Sequence, residues 1–313
     1  MKIKKDFIKG NKKIKIISND GKPYPIPESW RPVLSKCDML VIIPDIHMYI
    51  YNSHLDNFKF GADTMLKFLN HLGTLKEEME LEDQTLRIYQ IGDLYEQRFP
   101  GLQSANATAI EIRMSHSSYD QIVNMMNGMR THFLYGNHDF ELRHFPGFRF
   151  AALEGKVYIE HGFTPDSWKD FSNPKAPLWE VSQFLFMTIR EINEFFAHLL
   201  VKASVIDKDE HYAWGVQSGK EPVYDYPSEK EYKKNYGHCL DYFAERMSKN
   251  PEHKETKITV IGHTHHPYIN TNVNNGKNIF IDAGAWTSGR SDFVVITNEE
   301  LAICCHERSL MIS

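Results

Sequence analysis

The sequence predicts an α/β fold, a sheet carrying helices, interrupted late by a mostly helical insertion. Three observations predict it. Short runs rich in β-branched residues recur along the chain and read as buried strands. Apolar residues at helical spacing fill the gaps between the first three runs, and a βαβαβ opening requires a sheet covered by helices. The strand rhythm then stops at about Phe163 and resumes at Lys257.

In chain order, residues 1–38 form an N-terminal extension. Its start, MKIKKDFIKGNKKIKI, is basic but lacks the continuous apolar stretch and cleavage site of a secretory signal. Residues 39–162 hold the first half of the main domain, with strands MLVIIP (39–44), LRIYQI (86–91), THFLY (131–135) and KVYIE (156–160). Ala62, Met65, Leu66, Leu69 and Leu72 place a helix between the first two strands, and 104–126 reads as one helix between the second and third. Residues 163–255 are the insertion, expected to lie as a lid over the site. A helix from about Pro177 to Lys202 carries Phe184, Ile192, Phe195 and Leu199 on one side, and a Tyr-rich charged segment follows from Tyr212 to Tyr242. Residues 256–313 complete the domain with strands KITVI (257–261), NIFID (278–282) and DFVVIT (292–297).

Composition limits the function classes. Of 313 residues, 42% are hydrophobic and 25% charged, the balance of a globular protein with a full core. The formal charge of −5 gives no general attraction for nucleic acid, so any attraction for phosphate must be local. The only dense basic run is the seven lysines of the first fifteen residues, more typical of a solvated arm than of a nuclease groove. Cys37, Cys239, Cys304 and Cys305 include no C-x-x-C pair, and neighbours on a strand point to opposite faces, so Cys304 and Cys305 are not expected to bridge. A reducing, cytoplasmic location is the expectation. No transmembrane segment is expected, because Arg190, Glu191 and Glu194 interrupt the apolar stretch from Val181 to Val201; contact at a membrane surface stays open.

Five short motifs sit just after strands: PDIH (Asp45, His47), GD (Asp93), GNHD (Asn137, His138), HG (His161) and GHTH (His263, His265). Ligands of open α/β sheets bind beyond the carboxyl ends of strands, so one crevice can gather all five. Asp, Asn and His suit divalent Mn, Fe, Zn or Co. Seven candidate ligands, Asp45, His47, Asp93, Asn137, His161, His263 and His265, exceed the needs of one ion and suffice for two. His54, His71, His116, His132, His144, His211, His253 and His266 follow no such motif and read as packing or surface residues.

In these motifs and their order the chain resembles the calcineurin-like metallophosphoesterases, whose signature runs D-x-H, G-D, G-N-H-D/E, H and G-H-x-H. The resemblance covers roughly residues 39–162 and 257–297. It implies a β-sandwich flanked by helices (α/β/β/α). It also implies two divalent ions, manganese first: Asp45, His47 and His265 on one, Asn137, His161 and His263 on the other, and Asp93 bridging. His138 would contact the phosphate and assist the leaving oxygen. The activity implied is hydrolysis of a phosphate ester or anhydride by attack of a metal-bridging hydroxide. Two divalent ions less the charges of Asp45 and Asp93 leave a net +2, which suits a phosphate.

Phosphoprotein phosphatases of that superfamily carry GDxVDRG and GNHE; GDLYEQR and GNHD here do not match them. GDLYE, a helical insertion after HG, and AGAW after GHTHHP look more like the UDP-2,3-diacylglucosamine pyrophosphatase branch, although that branch usually has Arg at His138 and Asp at Phe163. The substrate expected is a phosphorylated small molecule, a nucleotide, or a nucleotide-sugar or lipid-linked pyrophosphate. Trp168, Trp179, Tyr212 and Trp214 are candidates to stack on a base or sugar, or simply to pack. The alternatives are a phosphodiesterase or nuclease of the same superfamily and a non-catalytic protein-binding scaffold; the complete ligand set argues against the last.

Overall fold

A computed structural model of the chain describes residues 7–8, 11, 13–51, 53, 56, 58–59, 61–97, 105–165, 227–287 and 289–306. The helix expected over 177–202 and the aromatic residues Trp168, Trp179, Tyr212 and Trp214 lie outside them, and so does the lid expectation attached to that stretch.

Two β-sheets face each other, with helices on both outer faces. The first sheet joins β1 (Ile14–Ile16), β2 (Tyr24–Pro25), β3 (Met39–Ile43), β4 (Leu86–Ile91), β5 (His132–Leu134), β6 (Phe148–Arg149), and two late strands, here β12 (Asp292–Thr297) and β13 (Glu300–His306). Its order is β1-β13-β12-β3-β4-β5-β6, with β2 beside β13. Strands β3 to β5 run parallel, as the βαβαβ reading requires, and β6 continues the parallel run. The second sheet has the order β10-β11-β9-β8-β7, built from β7 (Ala151–Glu154), β8 (Val157–Glu160), β9 (Ile258–Ile261), β10 (Tyr268–Val273) and β11 (Asn278–Asp282). Here β8, β9 and β11 are mutually parallel, and antiparallel β7 and β10 form the two edges.

Alternation along the strands makes the layers. Leu40, Ile42, Tyr89, Ile91, Val294 and Ile296 point to the second sheet and meet Val157, Ile159, Ile258, Val260, Ile279 and Ile281 in one buried cluster. Met39, Val41, Ile43, Ile88, Phe293 and Val295 point the other way, to α1 (Ala62–Leu81), α2 (Ala105–Ser115) and α3 (Ser117–Gly128). On α1, Met65, Phe68, Leu69, Leu72 and Leu75 are buried at helical spacing, as the sequence pattern requires. The outer face of the second sheet is covered by α4 (Glu229–Lys249), through Tyr232, Cys239, Leu240, Phe243 and Met247 on Tyr158, Tyr268, Val273 and Phe280. Each such side chain, fully buried, contributes roughly 1.5–3 kcal/mol relative to exposure. The result is the α/β/β/α architecture expected.

The structure departs from the sequence reading in its strands and in two helices: β1, β2, β6, β7, β10 and β13 fall outside the seven expected runs, and β1 and β2, within 1–38, pair with β13 in the first sheet. The helix expected over 104–126 is two helices, because the His116 backbone is extended (φ −154°) and its side chain accepts the Ser118 amide, capping α3. The late part of the 163–255 segment is α4, which packs as a core helix. A capping box at Ser228 and Glu231 starts it, and Asn250 followed by Pro251 ends it. All four cysteines are buried thiols outside any disulfide, Cys304 and Cys305 included. Among the described residues, no helix is long and apolar enough to cross a membrane.

Candidate metal centre

The parallel strands β3, β4 and β5 of one sheet and β8 and β9 of the other end at the same edge of the sandwich. Each is followed by one of the five motifs. The loops are tied together by backbone bonds: the Ile46 and His47 amides donate to the Asp93 carbonyl (3.0 and 2.8 Å), and Gly262 donates to His161 (2.8 Å). The Trp286 amide holds the Asp45 carbonyl (2.7 Å) from the far side.

All eight nominated side chains come together. His265 Nε2 lies 3.0 Å from Asp45 Oδ2 and 3.1 Å from His47 Nε2. His47 Nε2 is also 3.5 Å from Asp93 Oδ2. His161 Nε2 stands 3.2 Å from that same Asp93 oxygen and 3.1 Å from Asn137 Oδ1. The rings of His161 and His263 are 5.2 Å apart, and His138 Nε2 is 3.9 Å from Asp93 Oδ2. Asp93 therefore occupies the middle, with His47, His138 and His161 around one oxygen. Asp45, His47, Asp93, Asn137, His138 and His161 are buried; His263 and His265 are half-buried.

Backbone conformation sets this convergence. His47, Asp93, His263 and His265 have φ of 53°, 50°, 72° and 60°, in the left-handed region that non-glycine residues seldom occupy. Such strain persists only where the surroundings impose it, and it clusters at functional sites. Glycines make the approach possible: a Cβ at Gly136 would fall on the Asp93 carboxylate, and one at Gly262 on that of Asp45.

Electrostatically, the cluster keeps its carboxylates charged. Burial alone would raise Asp93, but the imidazoles of His161, His138 and His47 outweigh it and hold the carboxyl well below its ordinary range. Asp45 is lowered in the same way, burial being outweighed by His161 and His265. Burial opposes a charge on His161, yet Asp93 and Asp45 raise it to about 9.

The donors suit divalent cations. Asp93 Oδ2 and Asn137 Nδ2 are buried with no hydrogen-bond partner, an arrangement that costs free energy unless something else satisfies the group. Ring nitrogens of His47 and His265 converge on a carboxylate oxygen of Asp45, and this trio and the trio Asp45, Asp93 and His161 each bring their ligand atoms within 4.8 Å of one another. Nitrogen and oxygen donors without sulfur suit Mn, Fe, Zn or Co.

Two acidic residues of this site were not nominated from sequence. Glu96 Oε2 lies 2.6 Å from His138 Nδ1 and 3.4 Å from His47 Nδ1. Its only sequence signal is its place three residues after Asp93 in GDLYE, which loop chemistry alone would explain as well. Asp139, within GNHD, accepts from the amides of Gly136 (2.7 Å) and Leu94 (2.8 Å) and so ties the GD and GNHD loops together. Burial, then the Asp93 charge, pushes its carboxyl up to about 7. Among the histidines read as structural, His71 bonds the Phe7 carbonyl, His132 stacks on Tyr89 and His253 accepts from Arg246. His266 packs on Tyr236 beside the site. His54 and His211 lie outside the described residues.

No protein-family model matches the sequence, and no curated protein matches it. Among solved structures the chain is similar to a dimetal phosphatase from Danio rerio, at 11% identity over 86% of this chain and 99% of that one, with a TM-score of 0.41. It is also similar to a cold-active protein-tyrosine phosphatase of a psychrophilic Shewanella species (16% identity, 85% and 77% covered, TM-score 0.31). A 5'-nucleotidase from Candida albicans matches at 11% identity, with 83% and 47% covered and a TM-score of 0.31. At such identities and TM-scores, likeness carries no information on substrate or mechanism.

Proposed function

We propose that the chain is a dinuclear metal-dependent phosphohydrolase. The observation that carries this is Asp93 Oδ2, buried and without a hydrogen-bond partner, with the nitrogens of His47 and His161 at 3.5 and 3.2 Å from two different loops. Asp45, His47 and His265 would hold one cation, and Asn137, His161 and His263 the other, with Asp93 shared. Two divalent cations would supply Lewis-acid stabilisation of a phosphoryl group and acidify the water that attacks it.

The remaining roles belong to the chain. His138 is held through Nδ1 by Glu96 (2.6 Å), which leaves Nε2 facing the centre as the position from which a proton reaches the leaving oxygen. Glu96 also contacts His47 Nδ1, so one carboxylate orients a metal-side imidazole and the proton-carrying imidazole together. The substrate class that fits a cationic centre in an acidic protein is a phosphorylated small molecule, such as a nucleotide, a nucleotide sugar or a lipid-linked pyrophosphate.

The test is elemental analysis after Mn²⁺ reconstitution, with turnover measured on a panel of phosphomonoesters, phosphodiesters and nucleotide-sugar pyrophosphates. Two ions per chain and hydrolysis of at least one class are expected, with both ions lost in Asp93→Asn. One ion or fewer at saturation, or an Asp93→Asn protein still holding two, refutes the reading.

A further inference from the structure

We infer that Asp282, acting through Thr264 and Tyr232, positions the His263 to His265 loop and thereby sets the affinity of the centre for its cations; the inference rests on the metal-dependent reading above.

The loop has to be held by something other than its ligands. His263 and His265 both adopt left-handed backbone (φ 72° and 60°), which disfavours the turn when nothing fixes it. The side chain between them is Thr264, which points inward and is buried. Its hydroxyl donates to Asp282 Oδ2 at 2.6 Å and accepts the His266 amide at 3.2 Å, so it spans the turn from the sheet to the far side of His265. Asp282 is the last residue of β11 and lies in register beside Ile261, the last residue of β9 before the loop. The same Oδ2 accepts the Tyr232 hydroxyl from α4 at 2.7 Å, and Oδ1 accepts the Gly284 amide at 3.3 Å. Tyr232 is itself fixed, fully buried and stacked on Tyr268 with ring centroids 4.1 Å apart and planes within 10°.

A wholly buried acidic side chain is costly, and a sheet end needs none to fold. Here it collects three donors from three places: the ligand loop, a covering helix and its own strand end. Only one of the three, Thr264, lies between two nominated ligands assigned to different cations. A shift of that hydroxyl moves both imidazoles at once, so the device acts on the pair of cations rather than on one. Substitutions one contact away from metal ligands typically cost about 10–100-fold in metal affinity.

The experiment is a competition titration of the full chain with Mn²⁺, paired with melting of the metal-stripped protein. Thr264→Val, which keeps the shape and removes the hydroxyl, is expected to weaken Mn²⁺ binding about 10–100-fold and also to lower the metal-stripped melting temperature, because buried Asp282 loses a donor. Thr264→Ser restores most of the affinity. Tyr232→Phe, which touches no ligand, weakens binding less, and its effect is less than additive with Thr264→Val because both act through Asp282. Should Thr264→Val fail to fold, Tyr232→Phe and Thr264→Ser carry the test. Wild-type affinity in Tyr232→Phe, or in a folded Thr264→Val, overturns the inference and leaves the metal-dependent reading standing, as does Thr264→Ser as weak as Thr264→Val. A wild-type chain that binds no Mn²⁺ overturns that reading and the inference with it.

Discussion

The His138 amide donates to Asp93 Oδ1 (2.8 Å) and its Nε2 lies 3.9 Å from Asp93 Oδ2, yet the two residues are expected to fail differently when changed. Asp93 offers its buried oxygen to the centre, whereas His138 is anchored by Glu96 through Nδ1 and turns only Nε2 towards it. His138→Gln should therefore keep its metal content and lose turnover by about 10²–10⁴-fold on a substrate with a poor leaving group; full turnover on such a substrate would remove His138 from the chemistry. Away from the centre, Asp56 carries a different kind of charge problem. Burial raises its carboxyl to about 7, even though the Tyr119 hydroxyl donates to it at 2.5 Å. The folded value lies above the unfolded one of about 3.9, so the folded state binds the extra proton between those values. The contribution of Asp56 is then fully present below about pH 4 and is lost as pH rises through about 7. Melting curves of Asp56→Asn and wild type should shift in favour of the variant from pH 4 to pH 8, and a gap that stays constant over that range would contradict the assignment.

Between elements, polar cross-links fix how the layers sit. Glu154, on β7 of the second sheet, accepts from Arg87 (2.7 Å) and from the Tyr89 hydroxyl (2.6 Å), both on β4 of the first. These contacts come from the second and fourth residues of β4, whereas Asp93 lies two residues beyond its last. Glu154→Ala strips the buried Tyr89 hydroxyl of its acceptor and should destabilise the fold by about 1–3 kcal/mol. Mn²⁺ stoichiometry should not change; denaturant unfolding and elemental analysis on the same sample check both halves. A loss of metal with no loss of stability would mean that the sheets are coupled along their length in a way these contacts do not explain. The same scale explains the helix broken at His116: periodicity continues through 104–126, but one extended residue that caps the next helix is a local hydrogen-bond choice, invisible to a count of apolar positions.

For the whole molecule, the centre joins the two sheets. Asp45, His47, Asp93, Asn137 and His138 follow strands of one sheet, and His161, His263 and His265 follow strands of the other. Cations bound there add their binding free energy to the folded state alone, about 2.7 kcal/mol at a hundred times the dissociation constant. Chelation should lower the melting temperature and Mn²⁺ should restore it, with no such response in Asp93→Asn. A wild-type melting curve indifferent to both would show that the sandwich closes without help from the centre.

The seven strand runs from MLVIIP to DFVVIT, and the turn motifs whose eight side chains the fold brings together, were legible in the sequence because they rest on local signals. Apolar runs mark LRIYQI and NIFID residue for residue as β4 and β11, and Gly beside Asp, Asn or His marks the turns that follow strands. Local signals carry no information about partners far along the chain. That Glu96 meets His138, that Asp282 meets Thr264 and Tyr232, and that α4 packs on the outer face of the second sheet were all decided by the tertiary fold. An acidic residue in a loop or at a strand end looks alike whether it faces water or accepts three buried donors. Its role is fixed by which groups the tertiary fold brings to within hydrogen-bond distance.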